Sequence, residues 1–255
     1  MELTNIKMEK SEGIAKITLA RPKHNVFNIA MMKELNTVLE QLTKDKDLKA
    51  AAIFGEGKSW CAGVDVGDHK PDMVSDMIAE FNRIFQLIEK IEVPVIAAVH
   101  GACLGGGMEV AIACDIILAS DKAVFGQPEI KLGFFPPYAA IRLPALIGVA
   151  KAIEVCATGK QYSAKQAQRL GFASQVFESE TFAEKVEDYI NEIKYSSPLI
   201  IRLNKKAIKN NMGLGFDKAL ESVSDLFLNV LMKTEDTLEG INSFYGKRKP
   251  EWKNG

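Results

Sequence analysis

Two glycine-containing turns carry the backbone groups of this sequence that are best suited to chemistry. The segment Gly101–Glu109 holds three consecutive glycines between a predicted strand and a predicted helix. Backbone N–H groups at such a helix N-terminus are unencumbered, and the helix dipole there favours negative charge. The segment lacks the spacing of a dinucleotide fingerprint and the Lys-Ser/Thr pair of a phosphate-binding loop. With a second turn, Ala62–Asp65, it can provide two N–H donors to a carbonyl oxygen that gains charge.

Two glutamates lie close to these turns in the sequence. Glu109 falls in the first turn of an apolar helix predicted from Met108 to Ala113, and Glu129 follows the constrained segment Phe125–Pro128. Taken singly, the first suits a partner for the helix dipole and the second an exposed loop carboxylate. As a pair, one carboxylate can act as a base on water while the other, protonated, delivers a proton. Burial against apolar walls would raise the pKa of at least one of them.

The hydrophobic pattern predicts an α/β fold that ends in helices. Strands alternate with helices in the first half of the chain, which indicates largely parallel pairing. Asn28 is the predicted cap of the first helix, whose apolar positions are Met32, Leu35, Leu39 and Leu42. The predicted strands span residues 14–19, 50–54, 94–99 and 115–119, and the early helices 28–42, 73–91 and 108–113. From about residue 181 the pattern is entirely helical, with segments near 182–195, 198–211, 216–232 and 235–246.

Composition excludes several classes of protein. The chain has 255 residues and a formal net charge of −1, which argues against a broad basic face for nucleic acid. No apolar run approaches the roughly 18 residues that span a bilayer, and the N-terminus lacks a signal-peptide pattern. The four cysteines show no paired metal spacing. We therefore expect a cytoplasmic protein with reduced thiols and with structural roles for its three histidines, outside any membrane.

The turns and glutamates, in this order and spacing, resemble the crotonase (enoyl-CoA hydratase) superfamily over essentially the whole chain. The resemblance implies stacked β-β-α units that form a spiral core over residues 1–195. A C-terminal helical region over residues 196–255 would cap this core and help to build homotrimers or homohexamers. The motifs that carry the resemblance are Arg21–Asn25, Ala62–Asp65, Gly101–Glu109, Cys114–Asp115, Phe125–Glu129, Glu239–Gly240 and Phe244–Lys249.

The resemblance also assigns roles to individual residues. The backbone N–H groups of Val64 and Gly106 would form the oxyanion hole. Glu109 and Glu129 occupy the positions of the acid/base glutamates in members that hydrate enoyl-CoA. Coenzyme A is then part of the substrate, and no metal or redox cofactor is needed. Further positions implied to bind are Ala62 and Asp65 for the acyl group and Lys23, Val66 and Lys247 for coenzyme A.

One stretch departs from the usual family pattern. Phe135, Pro137 and Tyr138 replace small residues where the acyl group is expected to lie. This variant resembles hydratases of cyclohexa-1,5-diene-1-carbonyl-CoA, which act in anaerobic degradation of aromatic acids. An aromatic and proline wall suits a flat ring. The alternatives are a repacked loop with no bearing on substrate, a short-chain 2-enoyl-CoA hydratase of fatty-acid β-oxidation, an enoyl-CoA isomerase, and a catalytically silent CoA-binding protein.

Overall fold

The computed structural model describes residues 3–21 and 23–255, so Pro22 of the Arg21–Asn25 motif lies outside the described residues. The strands are β1 Ile6–Ser11, β2 Ile14–Leu19, β3 Ala50–Gly55, β4 Ser59–Cys61, β5 Val95–Val99, β6 Ala102–Leu104, β7 Ile116–Ser120, β8 Val124–Gly126, β9 Gln161–Ser163 and β10 Gln175–Phe177. The helices are α1 Ile29–Thr43, α2 Val74–Lys90, α3 Gly106–Ala113, α4 Pro137–Ile147, α5 Val149–Thr158, α6 Ala164–Leu170, α7 Phe182–Lys194, α8 Pro198–Lys209, α9 Phe216–Asp225 and α10 Glu235–Tyr245.

The larger sheet has the strand order β1-β2-β3-β5-β7-β10. Its first two strands form an antiparallel hairpin, and the turn residues Glu12 and Gly13 have φ of 52° and 81°. Positive φ at both central positions gives a twist that matches the flanking strands. All other neighbours in this sheet are parallel, as the alternation of strands and helices predicted.

A smaller sheet has the order β4-β6-β8-β9, and its first three strands are parallel. Each successive β-β-α unit supplies one strand to the larger sheet and the next strand to this one, as in the pairs β3/β4, β5/β6 and β7/β8. Gly101 forms the corner between β5 and β6 with φ of 57°. A Cβ there would lie 2.1 Å from the Lys58 carbonyl oxygen, so the corner requires glycine.

Helices cover both faces of the larger sheet, which explains why its central strands are apolar throughout. The Asn28 side chain caps α1 by accepting from the Met31 N–H at 2.9 Å. The four predicted apolar positions of α1 are buried, and they pack with residues of α2 and α3 in one core. Val186 and Ile190 of α7 cover the opposite face. Each large aliphatic side chain buried in this way contributes about 1.5–3 kcal/mol.

The C-terminal helices α8–α10 leave much apolar surface exposed. The predicted helical segment 216–232 takes three forms: α9 ends at Asp225, a π-helical turn covers Leu226–Val230, and a 3-10 turn covers Leu231–Lys233. None of the residues of these three pieces is buried, and Phe216 is 79% exposed. Over the residues that the structure describes, no helix is both long and apolar enough to span a bilayer. The division of the chain near residue 195 stays a prediction.

Candidate active site

A cavity of about 410 Å³ lies between α2, the N-terminus of α3 and two 3-10 segments, Val66–His69 and Pro128–Leu132. Its volume falls within the roughly 300–1,000 Å³ typical of small-molecule sites. Glu109 and Glu129 are the carboxylates of its wall, and the rest of the wall is mostly apolar. The lining residues are Ala62, Gly63, Val64, Val66, His69, Val74, Met77, Ile78, Phe81, Gly105, Gly106, Glu109, Pro128, Glu129, Leu132, Gly133, Phe134, Phe135 and Pro137.

The first glycine turn is fixed by two hydrogen bonds to Phe27. The Phe27 N–H donates to the Gly63 carbonyl at 2.9 Å, and the Asp65 N–H donates to the Phe27 carbonyl at 2.8 Å. Gly63 has φ of 124°, a conformation that L side chains rarely adopt. Val64 is thereby held between two anchored residues. Among the hydrogen bonds of the described residues, its N–H has no acceptor, and it is available to a ligand.

The second turn touches the first. Gly106 is the first residue of α3, and its N–H likewise has no acceptor among the described residues. A Cβ on Gly106 would lie 2.5 Å from Cγ2 of Val64, and a Cβ on Gly105 would lie 2.7 Å from Oε1 of Glu129. The consecutive glycines therefore allow the two turns and Glu129 to approach one another. This is the close backbone approach that the glycine run predicts.

Glu109 is held by the N-terminus of α4. Its Oε1 accepts from the N–H groups of Tyr138 at 2.7 Å and Ala139 at 2.9 Å, and the residue is only 2% exposed. Pro137 opens the helix, where its missing N–H costs nothing. Burial, together with the charge of Glu129, raises the pKa of Glu109 to about 7, although the two N–H bonds oppose the shift. No donor among the described residues contacts Oε2.

Glu129 lies in the 3-10 segment Pro128–Leu132 and is partly buried. Burial raises its pKa to about 7 as well. The side-chain amide of Gln127, which is fully buried, lies 3.1 Å from both carboxylate oxygens of Glu129 when its nitrogen faces them. This arrangement orients the carboxylate and supplies a donor to its ionised form.

Two coupled carboxylates that both titrate near neutral pH can exist with one group ionised and its neighbour protonated. That state offers a base and an acid in one cavity. Val64 and Gly106, whose backbone N–H groups have no acceptor among the described residues, line the same cavity. The arrangement can therefore transfer protons beside a carbonyl whose oxygen gains negative charge.

The cavity brings together most of the residues expected to bind substrate. Ala62, Val66, Phe135 and Pro137 line it beside the two glutamates. Asp65 is not in the wall, because its side chain accepts from the Gly67 N–H at 3.0 Å and caps the following 3-10 segment.

Tyr138 is also outside the cavity wall. Its ring stacks on Phe85 with centroids 3.9 Å apart and planes 11° from parallel, while its N–H holds Glu109. The geometry gives Tyr138 a supporting position behind Glu109, and its contact with the acyl group stays a prediction.

The two lysines expected near coenzyme A are exposed and lie outside the cavity wall. Lys247 has φ of 50° in the chain reversal after α10. The roles of Lys23 and Lys247 in binding coenzyme A stay predictions.

Sequence reasoning missed two aromatic groups of the cavity. His69 and Phe134 both line it, and their rings stack on each other. The other histidines have structural contacts: His24 Nδ1 lies 2.9 Å from the Ser59 hydroxyl, and His100 Nε2 lies 3.0 Å from the Gly57 carbonyl. The position of His69 four residues after the Asp65 turn was the available signal, but a surface loop gives the same pattern.

Comparison with known proteins places the chain in a family. The model of the enoyl-CoA hydratase/isomerase family matches residues 9–255. The chain therefore belongs to the enoyl-CoA hydratase/isomerase family. This confirms the resemblance, the crotonase fold and the enoyl-CoA hydratase type of enzyme that the sequence predicted.

Individual relatives match over nearly their full length. A short-chain-enoyl-CoA hydratase of Clostridium acetobutylicum is 36% identical over 258 residues, which covers 98% of both chains. A cyclohexa-1,5-dienecarbonyl-CoA hydratase of Thauera aromatica is 30% identical over 249 residues, which covers 97% of this chain and 95% of the relative. The crystal structure of an enoyl-CoA hydratase from Bacillus anthracis superimposes with a TM-score of 0.90 at 30% identity, covering 99% of this chain and 100% of that one.

Proposed function

We propose that the protein adds water to the conjugated double bond of a short or cyclic enoyl-CoA thioester. The observation that carries this proposal is the meeting of four groups in one cavity. Glu109 and Glu129 share its wall with Val64 and Gly106, whose N–H groups have no acceptor among the described residues. A carboxylate pair without the N–H donors would lack a means of stabilising the enolate. The donors without the pair would lack the proton transfers.

In the proposed reaction, the thioester oxygen accepts hydrogen bonds from the N–H groups of Val64 and Gly106. Water attacks the β-carbon, and the electron pair of the double bond moves onto the thioester oxygen. Both donors are fixed before the reaction begins, so they stabilise this charge without reorganising. Loss of one such donor typically costs about 2.7–4 kcal/mol of barrier.

The two glutamates transfer the protons of the proposed reaction. Ionised Glu109, whose Oε2 is free of protein donors, orients the water and takes its proton as the hydroxyl oxygen bonds to the β-carbon. Protonated Glu129 gives its proton to the α-carbon as the enolate collapses. A proton passed from Glu109 to Glu129 through solvent restores the starting state. Because water is the only co-reactant, this chemistry needs neither a metal ion nor a redox cofactor.

Two acyl classes are candidates for the natural substrate. The 36% identity with the Clostridium short-chain hydratase favours a straight short-chain group. The Phe135 and Pro137 wall and the similarity to the Thauera enzyme favour the cyclic cyclohexa-1,5-diene-1-carbonyl group. With the cyclic diene, Glu129 would deliver its proton to the far end of the conjugated system, giving 1,4-addition.

A direct comparison tests both levels of the proposal. Purified protein is mixed with crotonyl-CoA or with cyclohexa-1,5-diene-1-carbonyl-CoA, and the loss of conjugated absorbance is followed. Hydration of either substrate supports the hydratase, and a higher kcat/KM for one identifies its class. Strong preference for crotonyl-CoA would reject the cyclic assignment alone. Absence of turnover with both would contradict the hydratase and favour the silent CoA-binding alternative.

We also propose that the coenzyme A portion of the bound substrate extends out of the cavity past Val66. This residue lies in the cavity wall and is 60% exposed. Lys23 and Lys247 would then approach the phosphates as flexible point charges. The four free cysteines support a cytoplasmic location, where thiols stay reduced.

The exposed apolar side chains of α8–α10 support assembly into a homotrimer or homohexamer, since such surface usually marks an interface. They include Phe216, Leu220, Leu238, Ile241, Phe244 and Tyr245, and the π-helical turn after α9 adds Phe227 and Leu228. Sedimentation equilibrium measures the mass directly. A mass of three or six chains is expected, and a monomer across the concentration range would contradict the assembly.

A further inference from the structure

One ring pair joins the two segments that carry the reacting groups. His69 and Phe134 stack with centroids 4.9 Å apart and planes 27° from parallel, and both line the cavity. His69 ends the 3-10 segment that follows the Val64 turn, and Phe134 follows the 3-10 segment that holds Glu129. The pair therefore bridges the turn with the free N–H and the segment with the acid.

Both residues of the pair form hydrogen bonds to the backbone of the segments that carry the reacting groups. His69 Nδ1 lies 3.0 Å from the carbonyl oxygen of Asp65, the residue after Val64. The N–H of Phe134 donates to the carbonyl of Glu129 at 3.1 Å. Since a carbonyl can only accept, Nδ1 carries a proton in this contact. The His69 ring is thus held by its Nδ1 contact, and the Phe134 ring, on an anchored backbone, is held by the stack.

The wall around the pair identifies the part of a substrate that reaches it. Val74, Met77, Ile78 and Leu132 line the same cavity and are apolar. A hydrocarbon group suits such a wall, whereas the polar coenzyme A portion does not. Phe134 lines the cavity and is 39% exposed, so it lies where the cavity wall meets solvent. Its removal would open a path outward for a longer chain.

From these contacts we propose that the His69–Phe134 pair determines acyl length by closing the cavity against long chains. This inference rests on the proposed function, because it concerns the acyl group of the same thioester substrate. Two stacked rings leave no space for a methylene chain between them. Short straight groups and a flat six-membered ring fit inside the closed cavity, whereas a long chain has to part the rings.

Binding of saturated acyl-CoA tests the pair without depending on turnover. Dissociation constants for butanoyl-CoA and decanoyl-CoA are measured by calorimetry for the wild type and for Phe134→Ala and His69→Ala. The wild type is expected to prefer butanoyl-CoA. Each alanine variant should shift the ratio of the two constants towards decanoyl-CoA by about tenfold or more.

Matched variants distinguish loss of cavity closure from a general disturbance of the protein by substitution. Phe134→Tyr and His69→Phe keep two stacked rings and should keep the wild-type ratio. Tyr195→Ala removes a ring that is 72% exposed and outside the cavity wall, and it should also leave the ratio unchanged. Thermal unfolding and circular dichroism verify that every variant is folded.

The possible results distinguish failure of the closure from failure of the proposed function. A folded Phe134→Ala protein with the wild-type ratio would overturn the closure, as would a wild type that binds decanoyl-CoA more tightly than butanoyl-CoA. Failure of the wild type to hydrate any enoyl-CoA would overturn the proposed function instead. In that case the ratio of binding constants still measures the effect of the ring pair.

Discussion

The two sides of the cavity are formed by different parts of the residues. One side consists of backbone and carboxylates: Val64 and Gly106 present N–H groups, and Glu109 is fixed by two further amides. The other side consists of side chains, including His69 and Phe134, several of which are partly exposed. The backbone side tolerates no added atom at Gly106, whereas side chains can be exchanged without moving the main chain. In the proposed reaction, the backbone side carries the chemistry and the side-chain side determines specificity.

Replacing either glutamate by glutamine should have the largest effect on activity. Glu109→Gln and Glu129→Gln keep size and polarity but remove the base or the acid. We expect kcat to fall by about 10²–10⁴-fold in each variant. Binding of butanoyl-CoA, measured by calorimetry, should change little, because the apolar side remains intact. Near-wild-type turnover in both variants would break the division between the two sides.

An added methyl group at Gly106 tests the backbone side next. In Gly106→Ala the new Cβ lies 2.5 Å from Cγ2 of Val64, so the Val64 side chain or the turn that carries it has to shift. We expect kcat/KM to fall by about 10²–10³-fold, as for loss of an oxyanion donor. Gly215→Ala is the matched control, since nothing lies within 4 Å of its added Cβ. Equal activity of the two variants would show that the close approach is unimportant.

The support of Glu109 by Tyr138 should contribute a smaller effect. Tyr138→Ala removes the stack on Phe85 and loosens the N–H that holds Glu109. A displaced catalytic group should lower kcat by about 10–100-fold. Tyr138→Phe keeps the stack and should restore kcat. A change confined to the preference between acyl groups would instead assign Tyr138 to the specificity side.

Changes of pH should have the smallest effect of these tests on activity and stability. Both glutamates have pKa values near 7, so kcat/KM should peak near neutral pH and fall on either side. For stability, the folded pKa of Glu109 exceeds its ordinary value of 4.5. The folded state therefore binds the proton more tightly, and its free energy of unfolding should decrease as pH rises from about 4.5 to about 7.

Urea unfolding at several pH values measures this decrease. Glu109→Gln should reduce it, because the amide has no proton to lose in that range. An equal dependence on pH in the wild type and the variant would assign the effect to other groups.

The sequence predicts the backbone side better than the side-chain side. Glycine turns and a pair of glutamates are recognisable by residue type, and Gly63, Gly105, Gly106 and both glutamates line the cavity. The strands β4, β6 and β8 have three residues each, too few for a periodic pattern. The helices α4–α6 also escaped prediction, and α4 contains Pro144, which favours a helix break.

The side-chain wall depends on contacts between distant segments. His69 and Phe134 meet across 65 positions of sequence, so neither residue alone indicates a cavity. Tyr138 was predicted to contact substrate because it is bulky, but stacking on Phe85 directs its ring elsewhere. Residue type indicates what a side chain can do, whereas packing decides which way it points.

Isotope transfer from solvent tests the central claim most directly. The wild-type protein is incubated with crotonyl-CoA in water enriched in oxygen-18, and the product is analysed by mass spectrometry. If Glu109 and Glu129 direct water addition, the product gains one water and carries one labelled oxygen on the acyl chain. Product that is isomerised without labelled oxygen would contradict the claim, as would recovery of both crotonyl-CoA and cyclohexa-1,5-diene-1-carbonyl-CoA unchanged under the same conditions.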